Sequence, residues 1–177
     1  MEFDDVVRMR KSCRSFNKKK VTKKSIMQIL EAGRLAPSAR NRQPWTFYVY
    51  TGEEKQKLAK QLYEECKAGD VEDTGIVSAR LIEQSSVFVL SVLHTDNYNI
   101  YPDLLSLGGC LEHMVLKATD LGIASLWLAD VRSALYDVKK FIDTDGEVFA
   151  GLCFGYTDKK LFSPPKKTLK EIVKELK

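Results

Sequence analysis

The chain has 177 residues, 44% of them hydrophobic and 29% charged, with a net charge of +4. That is enough chain for one domain with a real core, and a composition ordinary for a globular protein. No apolar run approaches the roughly 20 residues needed to cross a bilayer, and the charge is too small to imply a polyanionic partner. Four cysteines (Cys13, Cys66, Cys110, Cys153) contain no Cys-x-x-Cys pair, and only His94 and His113 could join them. A zinc or iron–sulfur site is not expected, and the cysteines read as free thiols. Met1-Glu-Phe-Asp-Asp5 carries acids where a secretory signal carries bases, so a cytoplasmic location is expected.

Phe3, Val6, Val7 and Arg10 follow helical spacing, which predicts a helix over residues 3–11, with Asp4 and Asp5 at its N-terminus. Residues 8–24 hold nine bases and no acid, so the rest of the chain carries −5. This block is a candidate anion site, for one phosphate or for a nucleic-acid backbone. Within it, Arg10, Lys11, Ser12 and Arg14 could close around one phosphate, because a guanidinium fork suits that geometry. A solvated basic helix end is the alternative. Cys13 lies inside the segment, either as a small filler or as a thiol made oxidation-prone by nearby positive charge. A second helix is predicted from about Thr22 to residue 34, burying Ile26, Ile29 and Leu30.

Next comes Pro37-Ser-Ala-Arg-Asn-Arg-Gln-Pro-Trp45, ahead of the apolar strand Thr46–Tyr50. Pro37 and Pro44 each lack an N–H and push the preceding residue out of the helical region. The backbone between them is expected to stay open, offering amides to a flat polar ligand. A plain helix-to-strand loop is the other reading. Residues 53–67 read as a surface helix with a seam of Leu58, Leu62 and Cys66. Residues 68–75 read as a polar loop, 76–84 as a short helix, and 86–93 as a strand buried on both faces.

Residues 94–102, with His94, Tyr98 and Tyr101, either shape a pocket or pack as a surface loop. Asp103 to Leu121 is apolar on most of its surface, so it should be buried on several sides and meet a second subunit. Gly108 and Gly109 would permit the close approach. Ser125 to Asp130 reads as a strand and turn, with Asp130 capping a helix over 131–142 whose buried face is Val131, Leu135, Val138 and Phe141. Residues 147–156 form a further strand. The tail carries Pro164-Pro-Lys-Lys-Thr-Leu-Lys-Glu-Ile-Val173, and its Leu169, Ile172, Val173 and Leu176 need a partner surface.

Taken in order, these pieces resemble the FMN-dependent nitroreductase family over essentially the whole chain. The matching parts are Arg10-x-Ser12-x-Arg14-x-Phe16, the Pro37–Trp45 segment, Ala118-Thr-Asp-Leu-Gly122-Ile, Ser125-Leu-Trp-Leu-Ala-Asp130, and Gly155-Tyr156 followed by the basic, proline-rich tail. The resemblance implies an α+β sandwich: a mainly antiparallel sheet of four or five strands wrapped by helices, one domain over 1–177, and an intertwined homodimer. It implies FMN at the subunit interface. Arg10, Lys11, Ser12, Arg14, Lys166 and Lys167 would lie around the phosphate. Pro37, Ser38 and Ala39 of the other subunit would lie along the ring, supported by Asn41 and Gln43. The turn at Leu128 and Ala129 would sit at flavin N5, and Arg80 at the pyrimidine end. Relatives often carry Gly or Glu where Ala129-Asp130 stand, and Arg where Lys166 stands.

The implied activity is hydride transfer from NAD(P)H through flavin N5 to nitroaromatic, quinone or similar electron-poor acceptors, in ping-pong fashion. No side chain acts as nucleophile, and no metal, nucleic-acid or membrane partner is expected. A flavin-binding store or sensor without turnover is the alternative.

Overall fold

A computed structural model describes residues 1–68, 73–129 and 142–174. Four strands, β1 (Trp45–Thr51), β2 (Val87–Leu93), β3 (Ala124–Leu128) and β4 (Glu147–Gly155), form one sheet in the order β1-β2-β4-β3. All three pairings are antiparallel, with Trp45 opposite Leu93, Val87 opposite Phe154, and Ala124 opposite Gly155. The helices are α1 (Phe3–Met9), α2 (Lys23–Arg34), α3 (Gly52–Ala68), α4 (Asp73–Gln84), α5 (Ile100–Asp120) and one turn, α6 (Leu169–Ile172).

The α+β sandwich is as expected, and its layers follow from strand alternation. In β2, Phe88, Leu90 and Val92 face one core with Leu58, Leu62 and Ile82 of α3 and α4. Val87, Val89 and Leu93 face the other, with Ile29 of α2 and Leu107, Leu111 and Met114 of α5. Side chains two apart share a face, so a continuous apolar run is what a central strand covered on both sides requires.

Where boundaries moved, the backbone supplies the reason. α1 stops at Met9 because Arg10 is extended, at φ −59°, ψ 118°. Beyond it, Cys13 N–H donates to the Ser125 carbonyl (2.8 Å), giving a single parallel bridge between Ser12 and Ser125 on the free edge of β3. The sheet has four strands, with that segment laid alongside. α5 begins at Ile100 and takes Pro102 into its first turn, where a missing N–H costs nothing. α4 begins at Asp73, earlier than periodicity suggested. Asp130, the helix expected from Val131, and Leu176 lie outside the described residues. Gly33 lets α2 settle on α5: a Cβ there would stand 2.7 Å from Met114 Cγ.

Lys55 sits among the apolar seam residues of α3, 1% exposed. Its Nζ donates to the carbonyls of Ile82 (2.7 Å) and Glu83 (2.6 Å) at the end of α4, where the helix dipole favours a cation. Burial pushes its ammonium down to about 8. Between that value and the ordinary lysine range, the unfolded chain holds the extra proton, so stability should rise with pH across that window. Wild type should gain up to roughly 3 kcal/mol over Lys55→Met from pH 8 to 10.5, read from denaturant midpoints. Equal pH profiles would remove Lys55 as the cause.

Candidate functional site

The N-terminal half of the site is built on the edge of β3. Cys13 is fully buried, its Sγ donating to the Ser15 carbonyl (3.1 Å), while Ser12 and Arg14 on either side are exposed. That alternation aims Ser12 and Arg14 outward from one extended strand of chain. Arg14 lines a cleft of about 310 Å³ between α4 and β3, with Thr74, Val77, Ser78 and Leu81 on one wall and Leu126 to Ala129 on the other. The walls are largely apolar and one end carries a guanidinium. Arg14 enters no ion pair among the described residues. This arrangement suits a flat ring system joined to an anion. Burial of Cys13 counters the oxidation-prone reading of its thiol.

Three of the expected phosphate and ring residues thus come together: Arg14, Leu128 and Ala129. Others do not line this cleft. Lys11 Nζ donates to the Leu161 carbonyl (3.2 Å), tying the N-terminal segment to the tail. Lys166 and Lys167 stand exposed beyond Pro164-Pro165. Arg10 is half-buried and Ser12 exposed, both outside the cleft lining. Arg80 projects from the opposite side of α4, its guanidinium carbon 5.8 Å from the Tyr63 ring centre, in a separate cleft with Gln56, Lys60 and Glu83.

The second half of the site is the proline-bounded loop, seated on the start of α5. Arg40, Asn41 and Gln43 have φ of 53°, 55° and 46°, a left-handed conformation that costs a non-glycine residue roughly 1–2 kcal/mol. The loop's amides are not open, contrary to expectation. Asn41 and Arg42 N–H donate to the Ser38 and Ala39 carbonyls in a 3₁₀ turn, Gln43 N–H to Ser38 Oγ (3.0 Å), and Ala39 N–H to Ser106 Oγ (3.0 Å). Asn41 remains exposed, while Gln43 Nε2 turns back to the Asn41 carbonyl (3.3 Å). Pro37 is exposed and Ser38 half-buried. Trp45 is half-buried against the α2–α5 core.

Sequence reasoning missed what holds this loop. Arg42 Nε and Nη2 donate to the two oxygens of Asp103 (3.1 and 3.0 Å), whose side chain is wholly buried; Thr95 Oγ1 donates to the same carboxylate (2.7 Å). A carboxylate in a helix apolar nearly all round had to be paired, and that was the available signal. Nearby, His94 bridges Thr46 Oγ1 (3.0 Å) and Asp145 (3.1 Å). His94, Thr95 and Asp96 line a separate cleft of about 320 Å³ with Arg42 and residues 145–147, while Tyr98 is 80% exposed.

The family model for the nitroreductase family matches residues 7–156. The chain belongs to the nitroreductase family. The matched span runs from the start of the basic N-terminal segment to Tyr156 and takes in both halves of the site. Among relatives of this family, the chain is 44% identical over 61 residues to a 4-nitrobenzoate reductase of Pseudomonas putida, a match covering 34% of this chain and 27% of that protein. The chain therefore spans about a quarter of the length of that relative. In structure it is similar to a BluB-like flavoprotein from Clostridium difficile 630, with TM-score 0.82, 22% identity and all of both chains covered. It is also similar to the FMN-dependent nitroreductase from Mycobacterium smegmatis solved with NADPH, with TM-score 0.84, 16% identity, and 98% and 97% of the two chains covered. At these identities the likeness carries the nitroreductase fold.

Proposed function

We infer that this nitroreductase-family chain is an FMN-dependent NAD(P)H oxidoreductase acting on nitroaromatic, quinone or similar electron-poor acceptors. The observation that carries the reading is the cleft in which Arg14 meets Leu128 and Ala129. Apolar walls for a ring, and for a phosphate a guanidinium in no ion pair among the described residues, match the two chemical parts of FMN. The FMN-dependent relative with NADPH and the 4-nitrobenzoate reductase support the cofactor and acceptor classes.

Arg14 would hold the phosphate by charged hydrogen bonds, joined by Arg10 and Ser12 from the same segment and by Lys11, Lys166 and Lys167 through charge. Val77, Leu81, Leu126 and Leu128 would exclude water from one face of the ring. The turn at Leu128 and Ala129 would orient the ring edge. Bound there, FMN supplies hydride chemistry in two separate half-reactions, so no side chain need act as nucleophile. Arg80, facing Tyr63, would reach the flavin only after a change of rotamer.

The loop carrying Pro37, Ser38, Ala39, Asn41 and Gln43 does not line the Arg14 cleft. A complete site therefore calls for a second copy of this single domain, whose loop closes over the ring. Exposed Tyr101 and Leu105 on α5, with open space over Gly108 and Gly109, give the pair an apolar contact face. The tail, with Leu169, Ile172 and Val173 exposed, would cross to the same partner. Among the described residues no helix is long and apolar enough to cross a membrane.

Anaerobic mixing of the FMN-loaded protein with NADH or NADPH tests the activity. The flavin band should bleach, and added quinone or nitroaromatic should restore it. A yellow protein that neither nucleotide bleaches would be a flavin store and not a reductase.

A further inference from the structure

We propose that the Arg42–Asp103 pair is the positioning device for the ring half of the site, setting the shape of residues 38–43 through the geometry of the guanidinium fork. The inference rests on the reading of that loop as part of a flavin site.

Three of the four residues from Arg40 to Gln43 are non-glycine and left-handed. Such backbone persists only where its surroundings over-determine it. Arg42 is the exception, at φ −66°, ψ −29°, and its side chain is the one that is tied down. Two parallel N–H bonds to a fully buried carboxylate fix the guanidinium plane. Thr95 satisfies the same carboxylate from outside the loop. One turn along α5, Ser106 Oγ accepts the Ala39 N–H and donates to the Pro102 carbonyl (2.7 Å). Asp103 and Ser106, three apart on one helix face, therefore grip the loop at two points. Strained Arg40 and Asn41 stand between those points and strained Gln43 directly follows them; Asn41 and Gln43 belong to the proposed ring site. Neither grip involves the Arg14 cleft, so the device acts on the ring and not on the phosphate.

Arg42→Lys and Asp103→Asn, each in the full chain, test this. Lysine keeps the charge but loses the fork. Amide hydrogen exchange without cofactor should quicken at least tenfold at Ala39, Asn41, Arg42 and Gln43 in both variants, while amides of β2 stay protected. FMN and riboflavin should then both bind about tenfold more weakly, with their affinity ratio unchanged. Loop exchange at the wild-type rate in Arg42→Lys would overturn the proposal. So would loosened exchange with both flavins bound as tightly as before, or a loss confined to FMN. Should Asp103→Asn unfold, Arg42→Lys decides alone, since that side chain is a third exposed. A wild-type protein that binds neither flavin would end the flavin reading and the ring role with it. The exchange result would still decide whether the pair shapes the loop.

Discussion

Phe88→Ala should cost about 3–5 kcal/mol, a large part of the 5–15 kcal/mol that typically separates folded from unfolded chains. Phe88 is fully buried in the central strand, facing α3 and α4 and packing on Tyr50 with ring centres 6.2 Å apart. Its ring lies over Gly151 of β4, where an added Cβ would stand 2.6 Å from Phe88 Cζ. The glycine thus supplies the space that the ring fills. Gly151→Ala alone should cost roughly 1–3 kcal/mol by overpacking, and much less in a Phe88→Leu background, where the ring is gone. Denaturant unfolding of the two single variants and the double variant measures the coupling. Additive costs would mean that the ring and the glycine do not share one space.

Arg14→Ala should weaken FMN by roughly 1.5–3 kcal/mol, about 10- to 150-fold, and leave riboflavin affinity as it was. Riboflavin lacks the phosphate, so the ratio of the two affinities isolates the phosphate grip. Arg14 lines the α4–β3 cleft, and its removal breaks no salt bridge among the described residues. Stability should stay within about 0.5 kcal/mol, as for other exposed substitutions. Flavin titration followed by fluorescence checks both ligands. Equal losses for FMN and riboflavin would place Arg14 beside the ring, and unchanged FMN affinity would remove it from the site. The ratio also separates this residue from Arg42, whose loss should affect both ligands alike.

The legible parts of the fold were those written in local pattern. The near-continuous apolar run from Val87 to Leu93, interrupted only by Ser91, read as a strand covered on both faces. α2 announced itself through the Thr22 cap, whose hydroxyl accepts the Ser25 N–H (3.1 Å). Lys55 was less visible, although it lies three residues before Leu58 and therefore on the α3 seam; charge suggested solvent, while helical phase pointed inward. The Arg42–Asp103 pair joins residues 61 apart, and periodicity carries no information about partners at that distance. For the same reason the order of motifs named the family but not which motif residues meet in one chain. Arg14 and Leu128 share a cleft because Cys13 pairs with Ser125 across the edge of β3. Arg80 leaves it because α4 turns that position toward Tyr63.

The measurement closest to the central claim is the visible absorption spectrum of the purified full chain, with the released chromophore quantified after denaturation. The two-part site predicts a yellow protein, or a colourless one that turns yellow on adding FMN, with one FMN per chain at saturation. A protein that stays colourless in excess FMN would contradict the account.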